Sequence, residues 1–290
     1  MAALLDRSVR SWCRAHPLGT YFSLVFAIAW LVWLPMVASA RGLIGVRLPP
    51  DLLWLAGLGP IGGATLAELA AGGRRGLRTL YGRLAVRGVP WQWYLIAATL
   101  PVAFGLATVA LGSRAAGRSL PPGALRLAFL ALGQGVLYAP VALFEEVGWR
   151  GCALPRLQAR FSALAASLIL GLVWAAWHLP LWALGAFAYP RMNLWWWIVD
   201  VLVVATLITW LYNNGRGSLW LPCLFHGAAN MTAQTLTLPL AGDTRPLVPG
   251  LAALLVVVLY GPADLSRSRP RATVEGSFPA HDARSRHPDG

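Results

Sequence analysis

Four polar side chains able to do chemistry together lie inside apolar stretches of this sequence: Glu145, His178, His226 and Asn230. A carboxylate and a neutral imidazole that share one water can act as a general base and activate that water for attack on an amide carbonyl. A second imidazole and a carboxamide NH₂ that face the same point can stabilise the oxyanion that develops. Glu145 and His178 fit the first role, and His226 and Asn230 fit the second, so the predicted chemistry is amide hydrolysis.

A metal site is the alternative use of the same residues. Two histidines and one glutamate form a known catalytic zinc ligand set that leaves one position open for water. Glu145, His178 and His226 could supply that set. The residues alone do not choose between a metal-free and a zinc-dependent hydrolase.

The elements that carry these residues are predicted to be transmembrane helices. The chain has 290 residues, 57% hydrophobic and 12% charged, with a mean hydropathy of +0.59. A membrane-spanning helix needs about 20 mainly apolar residues. We therefore predict an all-α, polytopic transmembrane bundle of about eight helices in a bacterial plasma membrane. The apolar stretches are 21–40, 52–71, 91–111, 125–147, 162–184, 194–213, 218–239 and 247–263.

The distribution of charge predicts the orientation of the bundle. All 24 basic residues are arginine, and most lie in the N-terminal segment, the C-terminal tail and the connections that share their side of the membrane. The positive-inside rule then predicts that both termini are cytoplasmic. This accounts for the net charge of +13 without a nucleic-acid partner. The absence of lysine excludes Ser-Lys hydrolases, Schiff-base enzymes and P-loop nucleotide sites.

The chain is predicted to form one membrane domain with short polar ends. The end of the first apolar stretch resembles a signal-peptide cleavage site, but the stretch is longer than a usual signal, so an uncleaved anchor is favoured. The predicted parts are a cytoplasmic segment 1–20, a first group of three helices 21–124 with an amphipathic interfacial segment 72–90, a catalytic core 125–239, a last helix 247–263 and a disordered cytoplasmic tail 264–290.

Helical spacing predicts that the polar residues meet. Glu145 and His178 are equally distant in sequence from a polar turn near residue 161, so a helix that runs to about residue 160 and a helix that returns from 162 would place them at one height. His226 lies eight residues into a helix that begins near Ser218 on the same side of the membrane, with Asn230 one turn further on. The predicted cavity is open to the cytoplasm and would receive a peptide or protein substrate from there.

Neighbouring residues are predicted to support this set. Arg150 follows Glu146 by four residues, the spacing of a helical ion pair, so this pair is assigned to structure. Trp174 stands one turn before His178. Asp200 and Glu68 are assigned structural roles, either in bonds to a neighbouring helix or in the cavity wall, and the three cysteines are assigned to packing.

The order of these motifs resembles the CPBP family of intramembrane proteases, also called CAAX proteases, which includes the type II CAAX prenyl endopeptidase. The resemblance rests on Glu145-Glu146 with Arg150, an aromatic residue four before His178, and His226 with Asn230 four later. It covers roughly residues 125–235. Trp174 stands where the family usually has phenylalanine.

The resemblance implies an intramembrane endopeptidase of a membrane-associated substrate. It implies that Glu145 and His178 activate water and that His226 and Asn230 hold the oxyanion. It favours a mechanism that needs no cofactor, with Zn²⁺ as the alternative. Motifs of other intramembrane proteases are absent from the sequence: H-E-x-x-H, G-x-G-D with a second membrane aspartate, and G-x-S-G.

Two readings of another class stay open at this point. One is a non-catalytic immunity or scaffold protein that keeps the site for binding or stability. The other is a proton-coupled transporter, since intramembrane carboxylates and histidines can relay protons. No paired inverted repeats are visible, which argues against a transporter. The sequence predicts neither the natural substrate nor the oligomeric state.

Overall fold

A computed structural model describes residues 2–186, 193–240 and 245–267, and within these ranges the chain is a bundle of helices without β-strands. The helices, numbered in chain order, are α1 (Ala2–Ala15), α2 (Pro17–Ala40), α3 (Leu52–Ala56), α4 (Gly59–Gly82), α5 (Trp91–Ala115), α6 (Ala124–Glu146), α7 (Leu154–Gln158), α8 (Ala163–Trp177), α9 (Leu179–Leu184), α10 (Leu194–Asn214), α11 (Trp220–Thr232), α12 (Leu238–Leu240) and α13 (Leu247–Tyr260).

The prediction of a polytopic membrane protein is confirmed. Within the described ranges, six helical stretches are long and apolar enough to cross a bilayer: Pro17–Ala40, Leu52–Ala85, Trp91–Ala115, Ala124–Gln158, Ala163–Leu184 and Leu194–Asn214. The seventh predicted stretch, 218–239, is helical but is interrupted by polar residues and falls outside these six. The eighth is α13, whose 14 residues rise only about 21 Å. The predicted count of about eight spans is therefore not confirmed.

The helix that carries the paired glutamates continues past them in an altered form. After α6 the chain forms a π-helical stretch, Val147–Ala153, in which every residue is buried, and then α7. Gly148 explains how tightly this stretch is held: a Cβ there would meet the Tyr21 hydroxyl of α2 and lie 2.5 Å from the Pro60 carbonyl oxygen of α4. The π-helical stretch is therefore fixed against α2 and α4.

The return from this helix follows the predicted geometry. Ser162 caps α8 by accepting a hydrogen bond from the backbone N–H of Ala165 at 3.2 Å. The Gln158 and Asn213 side chains exchange two hydrogen bonds, which tie α7 to α10. Arg156 forms an ion pair with Glu68 at 2.7 Å, which joins α7 to α4. Glu68 thus bonds a neighbouring helix, as predicted.

Small residues bring α11 close to α6. A Cβ on Gly135 would lie 2.6 Å from the Cα of Ala228, and a Cβ on Gly227 would lie 2.5 Å from the carbonyl oxygen of Gly135. Such positions let two helix backbones approach closely. This contact places His226 beside the end of α6, where the glutamates lie.

Aromatic side chains form the core around the end of α8. Trp33 of α2 packs on Trp177 with ring centroids 4.7 Å apart, and Trp149 packs edge-on against Trp177 at 5.8 Å. The indole N–H of Trp30 donates to the carbonyl oxygen of Trp177 at 3.1 Å. These contacts fix the residue that precedes His178.

Two predicted segments are partly changed. The amphipathic segment 72–90 is mostly helical, since α4 bends at Gly73 (φ 59°), continues to Gly82 and ends in one 3₁₀ turn, Arg83–Ala85. The structure describes the first residues of the predicted disordered tail, 264–290, and they contact the bundle. Leu265 is fully buried, and the carbonyl oxygen of Asp264 accepts a hydrogen bond from Asn213 at 2.7 Å. Residues 268–290 lie outside the described residues.

Candidate active site

The adjacent glutamates point to different surroundings because neighbouring residues on a helix are about 100° apart. Glu145 lines a cavity and is partly exposed, whereas Glu146 is fully buried. Glu145 Oε2 accepts a hydrogen bond from the indole N–H of Trp174 at 2.7 Å and a longer one from Trp149 at 3.4 Å. Indoles only donate, so these contacts favour an ionised carboxylate with a fixed orientation.

His178 is held at the junction of α8 and α9. Its Nδ1 lies 2.9 Å from the carbonyl oxygen of Trp174, one turn earlier. A carbonyl oxygen only accepts, so Nδ1 carries the proton in this contact, and the neutral ring then has its lone pair on Nε2. The ring packs edge-on against Trp177 and Trp197. His178 is thus oriented as a neutral base.

His226 is held by a different kind of partner. Its Nδ1 lies 2.7 Å from Glu146 Oε1, and the same oxygen accepts a hydrogen bond from Arg150 Nη1 at 2.8 Å. The Arg150 guanidinium also lies over the Trp174 ring, 4.8 Å from its centroid. A carboxylate on Nδ1 stabilises the imidazolium, which then carries a second N–H on Nε2. His226 is thus oriented as a donor.

These groups line one cavity of about 300 Å³, which also contains Asn230. The spacing predicted that Glu145, His178, His226 and Asn230 would come together, and the structure brings them together. Their roles in catalysis stay predictions. The other walls are mainly apolar and include the tryptophans Trp33, Trp54, Trp174, Trp177 and Trp197.

The zinc alternative was tested on the arrangement of its ligands. In the described part of the chain, no three His, Cys, Asp or Glu side chains form a metal-ligating group. Both Nδ1 atoms already have oxygen partners, and Glu145 Oε2 already accepts from an indole. These Nδ1 contacts leave Nε2 of each ring available, and metal-bound histidines commonly have such an oxygen partner on the other ring nitrogen. The orientation of the two rings therefore fits zinc ligation as well as metal-free chemistry.

The cavity extends toward one end of the bundle. Its outer lining includes Leu53 and Leu58, which follow the connection after α2, and Arg245, which precedes α13. None of its lining comes from residues 147–173 or 205–225, which form the opposite end. If the N-terminus is cytoplasmic, as the sequence predicts, this end of the bundle is the outer one. The predicted cytoplasmic N-terminus and the predicted approach of substrate from the cytoplasm both stay predictions.

Three contacts of the site were not predicted from the sequence. The bond between Glu146 and His226 depends on how α11 packs against α6, and no spacing within one helix reveals it. The ion pair between Asp200 and Arg245 joins residues far apart in sequence. Trp149, four residues after Glu145, could have been found from the same helical spacing that identified Arg150.

The part of the chain that carries this site is similar to known proteins. Residues 126–232 match the family model described as type II CAAX prenyl endopeptidase Rce1-like. A curated relative, CAAX prenyl protease 2 of Methanococcus maripaludis, is 32% identical over 127 residues, which cover 41% of this chain and 46% of the relative. The chain thus matches less than half of that relative's length. All four candidate residues lie within the range of the family model.

Proposed function

We propose that this chain, which belongs to the CPBP family of CAAX proteases through residues 126–232, is an intramembrane endopeptidase that uses a Glu145-activated water. The observation that carries the proposal is that Glu145 lines one cavity with two histidines whose Nδ1 atoms have different partners, a backbone carbonyl and a carboxylate. A general base and an oxyanion donor facing the same space are what amide hydrolysis needs.

In the proposed reaction, a water lies between Glu145 and Nε2 of His178 and faces the carbonyl carbon of the scissile amide. The water oxygen forms a bond to that carbon while its proton passes to the Glu145 carboxylate. The oxyanion accepts hydrogen bonds from Nε2–H of His226 and from the Asn230 amide. The C–N bond then breaks as Glu145 returns the proton to the leaving nitrogen, giving a carboxylic acid and an amine.

If zinc is bound, Glu145, His178 and His226 would hold it, and the metal would supply a Lewis acid that polarises the carbonyl and activates water. In either version Glu146 keeps His226 oriented through Nδ1. The metal-free version is preferred because the resemblance favours it and because the indole bonds to Glu145 already orient its carboxylate for proton transfer.

The test is cleavage of a library of quenched fluorescent peptides by purified protein in detergent. We expect wild type to cleave with or without a zinc chelator and Glu145→Ala to be inactive, with Asp51→Asn, an exposed carboxylate in the connection after α2, as the active control. Chelator inhibition that zinc reverses would establish the metal version instead. A Glu145→Ala protein as active as wild type would exclude the proposed role.

We infer further that substrate reaches this site from the outer face. The inference combines the arginine-rich end of the bundle with a cavity that extends toward the other end. It predicts that Asp51→Cys is labelled by a membrane-impermeant maleimide in intact cells, whereas Arg160→Cys, exposed at the opposite end, is labelled only after permeabilisation. The native cysteines are all buried, which keeps the background low. The reverse labelling pattern would restore the cytoplasmic approach.

A further inference from the structure

An ion pair between Asp200 and Arg245 stands in the wall of the catalytic cavity. Asp200 comes from the first half of α10, and Arg245 lies just before α13. Arg245 Nη2 lies 2.5 Å from Asp200 Oδ2, and the two side chains are 12% and 17% exposed. Both residues line the cavity that holds Glu145. Two charged side chains with little solvent exposure therefore stand in the wall of the cavity that holds Glu145.

Two other arginine–carboxylate pairs of the described residues lie outside the cavity lining. Arg150 pairs with Glu146 along one helical stretch, Arg156 and Glu68 join two packed helices, and none of these four residues lines the cavity. Arg245 is the one arginine among the described residues in the cavity lining. A structural role explains the first two pairs, but it does not explain why the third places its cation on the wall of a cavity.

The guanidinium has donors beyond those that Asp200 uses. Arginine carries five N–H groups in a planar fork that matches a carboxylate. One hydrogen bond joins Arg245 to Asp200, and Nε of Arg245 is buried without a partner among the residues that the structure describes. A buried polar group without a partner calls for an explanation, and a ligand that completes its hydrogen bonds is one.

A second, smaller cavity meets the first one at this pair. It has a volume of about 50 Å³ and is lined by Asp200, Arg245 and apolar side chains of α5, α11 and α13, including Phe104, Phe225 and Pro249. An anion at Arg245 would therefore have the reacting space on one side and an apolar recess on the other. This setting suits a peptide residue that carries a carboxylate together with an apolar part.

We propose that Arg245, positioned by Asp200, binds a carboxylate of the peptide substrate. The carboxylate is either the C-terminal one or that of an acidic side chain. This inference rests on the proposed endopeptidase function and assigns it a substrate class. The role of Asp200 is to orient the guanidinium, so Asp200 is a positioning residue.

The test compares peptides that differ only in charge. One pair has the same sequence with a free C-terminal carboxylate or a carboxamide, and a second pair is amidated and has an internal Glu or Gln. Cleavage by wild type and Arg245→Gln is measured. Binding of dansyl-labelled peptides to Glu145→Gln and to the double variant is followed by energy transfer from the cavity tryptophans.

We expect wild type to prefer the carboxylate member of one pair by about 10- to 100-fold in kcat/KM, the range of one charge-assisted contact. Arg245→Gln should remove the preference by lowering cleavage of the carboxylate peptide to that of its neutral partner. Which of the two pairs shows the effect identifies the source of the carboxylate. Asp200→Asn should raise KM for the preferred peptide and change kcat little. Arg41→Gln is the control, because Arg41 contacts the carbonyl oxygen of Ala183 outside the cavity lining.

Two results would overturn the proposal. One is equal cleavage of both members of each pair by wild type, and the other is an equal loss for all peptides in Arg245→Gln together with a lower Tm, which marks a structural pair. Failure of the endopeptidase function would look different: wild type would cleave nothing. Arg245-dependent binding of the carboxylate peptides to Glu145→Gln would then still support the subsite.

Discussion

His178 and His226 face the same cavity, but their Nδ1 atoms have different partners. A backbone carbonyl holds His178, whereas the Glu146 carboxylate holds His226. The carbonyl favours a neutral ring with a lone pair on Nε2, and the carboxylate favours a cation with a hydrogen on Nε2. The hydrogen-bond partner of Nδ1 therefore determines what Nε2 can do, so one histidine can act as a base and the other as a hydrogen-bond donor.

The adjacent residues Glu145 and Glu146 also differ in their partners and therefore in their expected roles. Glu145 is bonded by indoles and lines the cavity, whereas Glu146 is fully buried with Arg150 and His226. Removing one partner of a buried pair leaves a charge without compensation, which is costly. Glu146 should therefore affect folding strongly, while Glu145 should affect catalysis with little effect on folding.

The largest expected effect is loss of the base. Glu145→Gln keeps the size of the side chain but removes the proton acceptor, so kcat should fall by about 10²- to 10⁴-fold, the usual contribution of general base catalysis. Thermal unfolding in detergent should change little. Near wild-type turnover of a verified peptide would contradict the role of Glu145.

The second largest expected effect is a loss of folding stability when Glu146 is replaced. Glu146→Gln leaves Arg150 buried without a carboxylate and should lower the stability by about 3–5 kcal/mol, the usual cost of breaking a buried pair. The measurement is the midpoint of thermal unfolding, with Glu145→Gln as the matched control. Equal midpoints for the two variants would show that the buried pair contributes no net stability.

Loss of the oxyanion donor should be somewhat smaller. His226→Ala is expected to lower kcat by about 10²- to 10³-fold with little change in KM, because the hydrogen bond forms only as charge develops on the oxygen. Steady-state kinetics with one cleaved peptide measure both parameters. A raised KM with unchanged kcat would instead indicate that His226 binds substrate.

The smallest effect concerns the residue that departs from the family pattern. Trp174→Phe removes the 2.7 Å bond to Glu145 and keeps the aromatic ring. A hydrogen bond to a charged group contributes about 1.5–3 kcal/mol, so kcat should fall by at least about tenfold if the bond orients the base. Unchanged kcat would mean that Trp149 and the surrounding packing suffice.

Much of this site follows from helical spacing, because one rigid helix places Glu145 relative to the turn and another places His178. The positions of His226 and Asn230 follow in the same way. The bond between Glu146 and His226 was not predictable, since it depends on the close contact of Gly135 with Ala228 between helices. The end of the bundle toward which the cavity extends could not be predicted either, because it depends on how the helix ends pack against one another.

The number of transmembrane spans shows a limit of predictions that use composition alone. Apolar length alone selected 218–239, but the cavity residues in it make that stretch more polar than a lipid-facing helix. At Asp264 and Leu265 the polar composition suggested disorder, whereas tertiary contacts with α10 hold both residues. Composition predicts such segments poorly when a few specific contacts decide them.

The most direct test of opposite roles for the two histidines compares glutamine with alanine at each position. Glutamine keeps an N–H donor but lacks the basic Nε2 that holds the water beside Glu145, so His226→Gln should be clearly more active than His226→Ala. His178→Gln should be as inactive as His178→Ala. Cleavage of one verified peptide by the four purified variants measures this. The account would be contradicted if glutamine restored activity at position 178, or if it gave no advantage over alanine at position 226.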